Sequence, residues 1–464
     1  MIIKIKNLGP LISAEFKLSN FTIICGHNNS GKTYATYALY GFLKSWRNVI
    51  KIPIKQNVIT QLLEEGNAAI DLSGYISQVV DYLRLGCKEY SNMLPEIFAS
   101  SKDKFQESVF EIELEEGEIN TQKRFDQTVS AVKSNLFRLV KDEGSNELVI
   151  TLLVTKNNRQ MPVTGIQTII SQSIKEILFG SIFPSPFIAS AERTGSAIFR
   201  KELNFSRNRL LEEMSKIDKD TDPFSLLLKS YQDYALPVKD NVEFTRRLEE
   251  ISKKDSIIKE IHPNLVSYFD EIIGGKYTVN RNDELYFQPK GSKVKLNMDE
   301  SSSAVRSLLD IGFYIKHIAQ VADLLIIDEP ELNLHPENQR KIARLLATLV
   351  NVGIKVFITT HSDYIIKELN LLIMMNQKSN KLKELMKKEN YNDYELLIAD
   401  KVKVYTSEKS LIKIEGNQRK TNCQTLVEAN ISQRLGIEAK TFDQSIDEMN
   451  RIQDEIIWGE MNGF

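Results

Sequence analysis

Cysteine is scarce in this chain: three in 464 residues, Cys25, Cys87 and Cys423, all far apart. That spacing excludes a disulfide framework and a Cys-rich zinc module, and it fits a reducing compartment, so a cytoplasmic location is expected. Charge of one sign is also lacking. Sixty Lys and Arg stand against 62 Asp and Glu, a net of −2. The overall balance therefore gives no general attraction to nucleic acid, although a local basic groove stays open. No apolar run approaches about 18 residues, so neither a transmembrane helix nor a membrane partner is expected. The opening "MIIKIKNLGP" has no cationic flank followed by a long apolar core, and a secretory signal is not expected. What is present is an ordinary globular composition, 42% hydrophobic and 26% charged. The length suffices for two to four domains and a large core.

Against this plain background one stretch stands out, "CGHNNSGKTY" at residues 25 to 34. It follows "FTIIC", a short apolar β-branched run that reads as a buried strand, and precedes "TYATYALYGFLKSW". There Ala35, Ala38, Leu39, Phe42 and Leu43 recur at helical spacing. Strand, glycine-rich loop and helix in that order are what a phosphate cradle requires. Gly26, His27, Asn28, Asn29, Ser30 and Gly31 form the loop, whose glycines let main-chain N–H groups turn inward. Lys32 is expected to reach the β- and γ-phosphates of ATP, and Thr33 Oγ to ligate Mg²⁺, with the helix N-terminus adding its dipole.

A second stretch, "DLLIIDEPELNLHP", ends an apolar strand in Asp328 and Glu329. Asp328 suits Mg²⁺, and Glu329 suits the role of orienting or deprotonating an attacking water. Taken alone, the same pattern is a strand entering an acidic loop. A third strand, "KVFITTH", ends in His361, placed to contact the γ-phosphate or to serve a structural role. "ESSSAVRSLL" reads by itself as a serine-rich helix N-cap.

The order of these segments resembles the ABC-type ATPases of the Rad50/SMC and OLD-like, AAA15-type lineage. The resemblance covers roughly residues 1–60, 180–200 and 276–375. It implies a Walker A loop at Gly26–Thr33, a Walker B aspartate at Asp328 with catalytic Glu329, a D-loop at Glu331–His335 and a switch histidine at His361. It also implies a signature loop at Ser301–Ser307, with Ser302 meeting ATP held by a second copy. Ala304 departs from the glycine usual in that loop, which weakens the case for fast hydrolysis. Gln167 and Gln172 are candidates for the glutamine that usually follows the first subdomain. In "FIASAERTG", Arg193 is open between the nucleotide, the dimer seam and a surface salt bridge. The fold class so implied is α/β: an ABC-ATPase-like nucleotide-binding domain, a mixed sheet with flanking helices, carrying an inserted helical hairpin and a small C-terminal α+β region.

The expected organisation is the first half of the ATPase domain at 1–195, with an insertion at about 50–180. A helical insertion follows at 196–275, the second ATPase half at 276–375 and a partner-binding region at 376–464. In the first insertion "FEIELEE" and "ELVITLLVT" are expected strands that could pair with each other. In the second, Phe244, Leu248, Ile251, Ile258, Ile261 and Leu265 form an apolar stripe interrupted near Pro223, Pro237 and Pro263. "KYTVNRNDELYFQ" reads as a hairpin turning at Asn282 and Asp283. "NQKSNKLKELMKKEN" reads as a solvated basic helix, with nucleic-acid contact open. Ile446, Met449, Ile452 and Ile456 would line a terminal amphipathic helix. Neither an acidic cluster of Toprim type nor a paired-His nuclease motif is found. The chain resembles the ATPase subunits of two-gene bacterial phage-defence systems such as PARIS and Septu. That likeness implies a homo-dimer or higher oligomer and a separate Toprim or HNH nuclease effector, with DNA or a phage protein as possible triggers. The alternative is a DNA-repair or chromosome-maintenance ATPase that binds DNA directly.

Overall fold

A computed structural model describes residues 1–115, 117–131, 134–153, 163–198, 234–280, 284–377, 379–413, 419–438 and 451–455. At its centre is a six-stranded sheet. Its order is Thr421–Glu428, Val402–Ile412, Phe21–Cys25, Lys355–Thr360, Leu324–Asp328 and Pro186–Ala189. All neighbours are parallel except the antiparallel edge strand Thr421–Glu428, so the sheet is mixed and flanked by helices, as expected. Every residue of Phe21–Cys25 and Leu324–Asp328 is buried. That is why these segments read as continuous apolar runs rather than as alternating ones. The alternation survives in which core each residue enters. Leu324 and Ile326 pack with the helix Lys32–Val49, and Leu325 and Ile327 pack with the helices Pro336–Asn351 and Asp363–Met375.

The register puts chemistry at one end of the sheet. Asp328 pairs with Thr359, Thr360 with Cys25, and Cys25 with Thr406. The loop after Cys25, the acidic turn after Asp328 and the end of Lys355–Thr360 therefore emerge side by side, at the carboxyl ends of parallel strands, where α/β sheets place their ligands.

Two expectations are corrected here. Val109–Glu113 and Glu147–Leu152 do not pair with each other. Val109–Glu113 joins Ile2–Leu8, setting Ile112 opposite Ile3 and Phe110 opposite Ile5 on the buried face. On the open face Lys4 pairs with Glu113, so hydrophobic match below and charge match above fix the partner. Glu147–Leu152 instead lies between Asn67–Asp71 and Ser134–Lys141 in a four-stranded sheet. Secondly, residues 376–464 do not stand apart: Val402–Ile412 and Thr421–Glu428 are two of the six central strands.

The described part of the second insertion forms four short helices, Leu236–Arg246, Leu248–Ile251, Ile257–Ile261 and Pro263–Ile273. Leu248, Ile251, Ile258 and Leu265 enter the core as the stripe requires, whereas Ile261 is exposed. Asn241 closes the free edge of the central sheet. Its side chain accepts from Ser190 N at 2.8 Å and donates to Ile188 O at 2.5 Å, as a further strand would. Gly275–Val279 and Leu285–Pro289 pair as the expected hairpin. Its turn, the break at Pro223, and Ile446, Met449 and Ile456 lie outside the described residues.

Candidate active site

The cradle begins where the buried strand Phe21–Cys25 meets Gly26. Gly26 has φ +139° and Gly31 φ +97°, a region that favours glycine. Both positions are also too crowded for a side chain. A Cβ on Gly26 would lie 2.7 Å from Ser407 O, and one on Gly31 would lie 2.7 Å from Leu11 Cγ. The helix Lys32–Val49 starts from Gly31 with no side-chain cap and no acidic residue in its first turn. Its leading N–H groups and dipole are thus left for an anion. Lys32 is 6% exposed, and its Nζ donates to Gly26 O and His27 O, both at 2.8 Å. Burial lowers the pKa of this ammonium, while the carboxylates of Glu329, Asp328 and Glu331 work against that. A buried cation held by carbonyls beside uncapped N–H groups fits a phosphate chain.

Asp328 is 1% exposed at the end of its strand. Its Oδ2 accepts from Thr33 Oγ1 at 3.1 Å and its Oδ1 from Thr359 Oγ1. Burial pushes this carboxyl up to about 6, the two hydroxyls oppose the shift, and the Glu329 and Glu192 carboxylates add to it. An oxygen donor set of threonine hydroxyl and carboxylate, with negative charge crowded around it, suits a hard divalent cation such as Mg²⁺.

Glu329 follows with φ +55°, and its N–H donates to Thr359 O at 3.1 Å. It lines a cleft of about 430 Å³ together with Pro10 and residues Asn28 to Tyr34. His361 Nδ1 stands 3.4 Å from Glu329 Oε1 and 3.2 Å from Glu331 Oε1. Glu331 is buried; its Oε1 accepts from Thr360 Oγ1 and from the His361 N–H, each at 2.8 Å. The fold thus gathers Asn28, Asn29, Ser30, Gly31, Lys32, Thr33 and Glu329 around one cleft, with Asp328 bonded to Thr33 and His361 beside Glu329. Ser302 is not among the residues lining that cleft. It is an exposed N-cap, accepting from Val305 N at 3.3 Å, and the helix it begins, Ser303–Ser307, contains Ala304.

Three sequence assignments change. Arg193 faces neither nucleotide nor surface partner. It is 1% exposed, and its guanidinium donates to four main-chain carbonyls. Gln167 and Gln172 sit on the helix Val163–Phe179 and do not line the cleft; Gln167 bonds Gln56 at 3.3 Å. The residues that sequence reasoning missed are Thr359, which holds Asp328, and Ser407, whose Oγ donates to Ser30 O at 2.7 Å. Thr359 lay within the quoted "ITTH" segment. Ser407 had no local signal, since its partner is 377 residues away.

A glycine-rich loop between buried strand and helix, facing an aspartate–glutamate pair at the end of a parallel strand one place beyond its neighbour in the sheet, defines a P-loop ATPase. The chain belongs to the AAA ATPase domain family, whose model matches residues 1–366. No curated protein matches it in sequence. Among solved structures it is similar to the Smc head bound to the C-winged helix domain of ScpA, at 12% identity and TM-score 0.34, covering 93% of this chain and 98% of that one. It is also similar to an Smc head with extended coiled coil bound to the C-terminal domain of ScpA from Pyrococcus furiosus, at 12% identity and TM-score 0.31, over 97% and 98% of the two chains. A third similar structure is the SMC head domain from Thermotoga maritima, at 10% identity and TM-score 0.31, over 93% and 98%. Identities and scores this low assign no function. Among the described residues no helix is long and apolar enough to cross a membrane.

Proposed function

We propose that the chain is an ABC-type ATPase whose site is completed by a second copy, and that its ATP cycle is the switch of an anti-phage complex governing a separate nuclease. One observation supports the catalytic part. Thr33 from the loop and Asp328 from a strand 295 residues later meet through a 3.1 Å hydrogen bond, next to Glu329, which lines the same cleft as Lys32. In this reading the loop N–H groups and Lys32 hold the phosphates, and Thr33 and Asp328 hold Mg²⁺. The metal, when bound, supplies charge neutralisation of the phosphate oxygens. Glu329 orients the attacking water and accepts its proton, with His361 at its side. Exposed Ser302 is available to ATP bound by a partner copy, so an isolated copy hydrolyses poorly. The motif-order likeness to two-gene defence ATPases supports the cellular part.

The test is ATP turnover and molecular mass for wild type and Glu329→Gln, with and without ATP. Turnover lost in the variant together with a larger ATP-bound assembly is the expected result. Absence of turnover in wild type, with mass indifferent to nucleotide, refutes the shared-site switch. Stable co-purification with the product of a neighbouring nuclease gene is expected for the defence role. DNA affinity that falls steeply with salt, without such a partner, would favour the repair alternative.

A further inference from the structure

Arg193 brings a positive charge into the interior at 1% exposure. Its Nε donates to Ser307 O at 2.7 Å, Nη1 to Ser190 O at 2.8 Å and to Asp328 O at 2.6 Å, and Nη2 to Glu329 O at 2.7 Å. Among the described residues no carboxylate accepts from it. A buried guanidinium is expensive to desolvate, and a carboxylate is its usual compensation. Here its forked donors are spent on the two consecutive carbonyls that bracket the backbone of Glu329.

That backbone is strained. Glu329 has φ +55°, in the left-handed region that residues with a Cβ seldom occupy. Such a conformation persists only where its surroundings over-determine it. On one side the Glu329 N–H is tied to Thr359 O at 3.1 Å. On the other, Arg193 grips the carbonyls of Asp328 and Glu329. The same guanidinium reaches Ser190 at the end of the edge strand and Ser307 at the end of the helix that Ser302 caps, so the grip is anchored in two other elements.

We propose that Arg193 is a positioning residue for hydrolysis: by clamping the carbonyls of Asp328 and Glu329, it holds the strained turn that aims Glu329 into the cleft. This rests on the reading of Glu329 as the residue that activates water. Lysine offers one ammonium at one point and cannot replace a fork that serves four carbonyls. Arg193 makes no hydrogen bond to the phosphate loop, and the Asp328 carboxylate is held separately by Thr33 and Thr359, so loss of Arg193 is expected to change nucleotide affinity little.

The experiment uses the full chain carrying Arg193→Lys or Arg193→Gln. Thermal melting checks the fold, binding of a fluorescent N-methylanthraniloyl-ATP measures affinity, and steady-state and single-turnover hydrolysis measure chemistry. The expected result is a folded variant with affinity within about threefold of wild type and a hydrolysis step slower by roughly 10- to 100-fold, with KM little changed. Affinity and hydrolysis falling in parallel would overturn the proposal, as would hydrolysis at the wild-type rate. If neither variant folds, Arg193 holds the fold alone and the proposal is wrong. The companion Glu329→Gln protein separates the two ideas. Wild-type turnover there removes the role of Glu329 whatever the Arg193 variants do.

Discussion

Asp310 offers a quantitative test of how the interior is built. It lies on the helix Leu309–Phe313, is 1% exposed, and neither carboxyl oxygen has a hydrogen-bond partner among the described residues. Burial pushes its carboxyl from an ordinary 3.8 up to about 7, against the pull of nearby Arg193. The sign follows from proton counting. Between these two values the folded chain binds more protons than the unfolded one, so stability falls as pH rises. The group costs nothing below about 4, costs progressively more up to about 7, and keeps its full cost above that. At about 1.4 kcal/mol per pH unit the full cost is of order 4 kcal/mol, and the part incurred above pH 5.5 is about 2 kcal/mol. Asp310→Asn replaces the carboxyl with a neutral group of the same shape. The assay is thermal melting of both proteins at pH 5.5 and pH 8, without nucleotide. The variant is expected to gain on wild type by about 2 kcal/mol between the two pH values, roughly 2 °C for a chain of this size. An equal gap at both pH values would show that Asp310 does not carry the titration, and the argument from burial would be wrong.

Three further outcomes are expected. Gly26→Ala places a Cβ 2.7 Å from Ser407 O at φ +139°, so affinity for ATP should fall at least tenfold by equilibrium binding, corresponding to about 1.4 kcal/mol or more; unchanged affinity would mean that the loop moves freely away from Ser407. Thr359→Val removes the hydroxyl that donates to Asp328 and should slow turnover roughly tenfold while lowering stability by about 1–3 kcal/mol, read from kinetics and denaturant melts. Asn241→Leu leaves Ser190 N and Ile188 O of the edge strand unpaired in the interior. It should destabilise the fold by about 2–4 kcal/mol in a denaturant titration.

The site was legible wherever its parts are close in sequence. Gly26, Gly31, Lys32 and Thr33 are consecutive or nearly so, and a strand before them and a helix after them are enough to fix their geometry. Asp328 and Glu329 were legible because carboxylates at the end of a buried apolar strand demand an explanation. The rest depended on partners that no local pattern names. Arg193 reaches carbonyls 135 and 136 residues away, and a main-chain acceptor leaves no mark in the side-chain sequence. "DKVKVYTSEKS" was legible as a strand but not as a neighbour of Phe21–Cys25, since parallel pairing has no turn to announce it. The described helices at 236–273 were legible as an apolar stripe. The break at His262 precedes Pro263, as the sequence suggested, whereas those at Arg247 and from Ser252 to Ser256 have no such mark; at the latter, Ser256 N–H donates to Lys316 O at 3.2 Å.

The pairing of Val402–Ile412 with Phe21–Cys25 also sets an order of events during synthesis. The strand that leads into the phosphate loop is made well before its neighbours in the sheet, one of which follows about 380 residues later. Until then that side of the strand presents unpaired main-chain N–H and C=O groups on a largely apolar segment, the kind of edge that recruits other nascent chains. A polypeptide arrested after residue 366 would contain the whole family match but would lack the strand carrying Ser407. It would hold an open-sided loop and an exposed strand edge, and its fate would be aggregation or capture by chaperones rather than reduced activity.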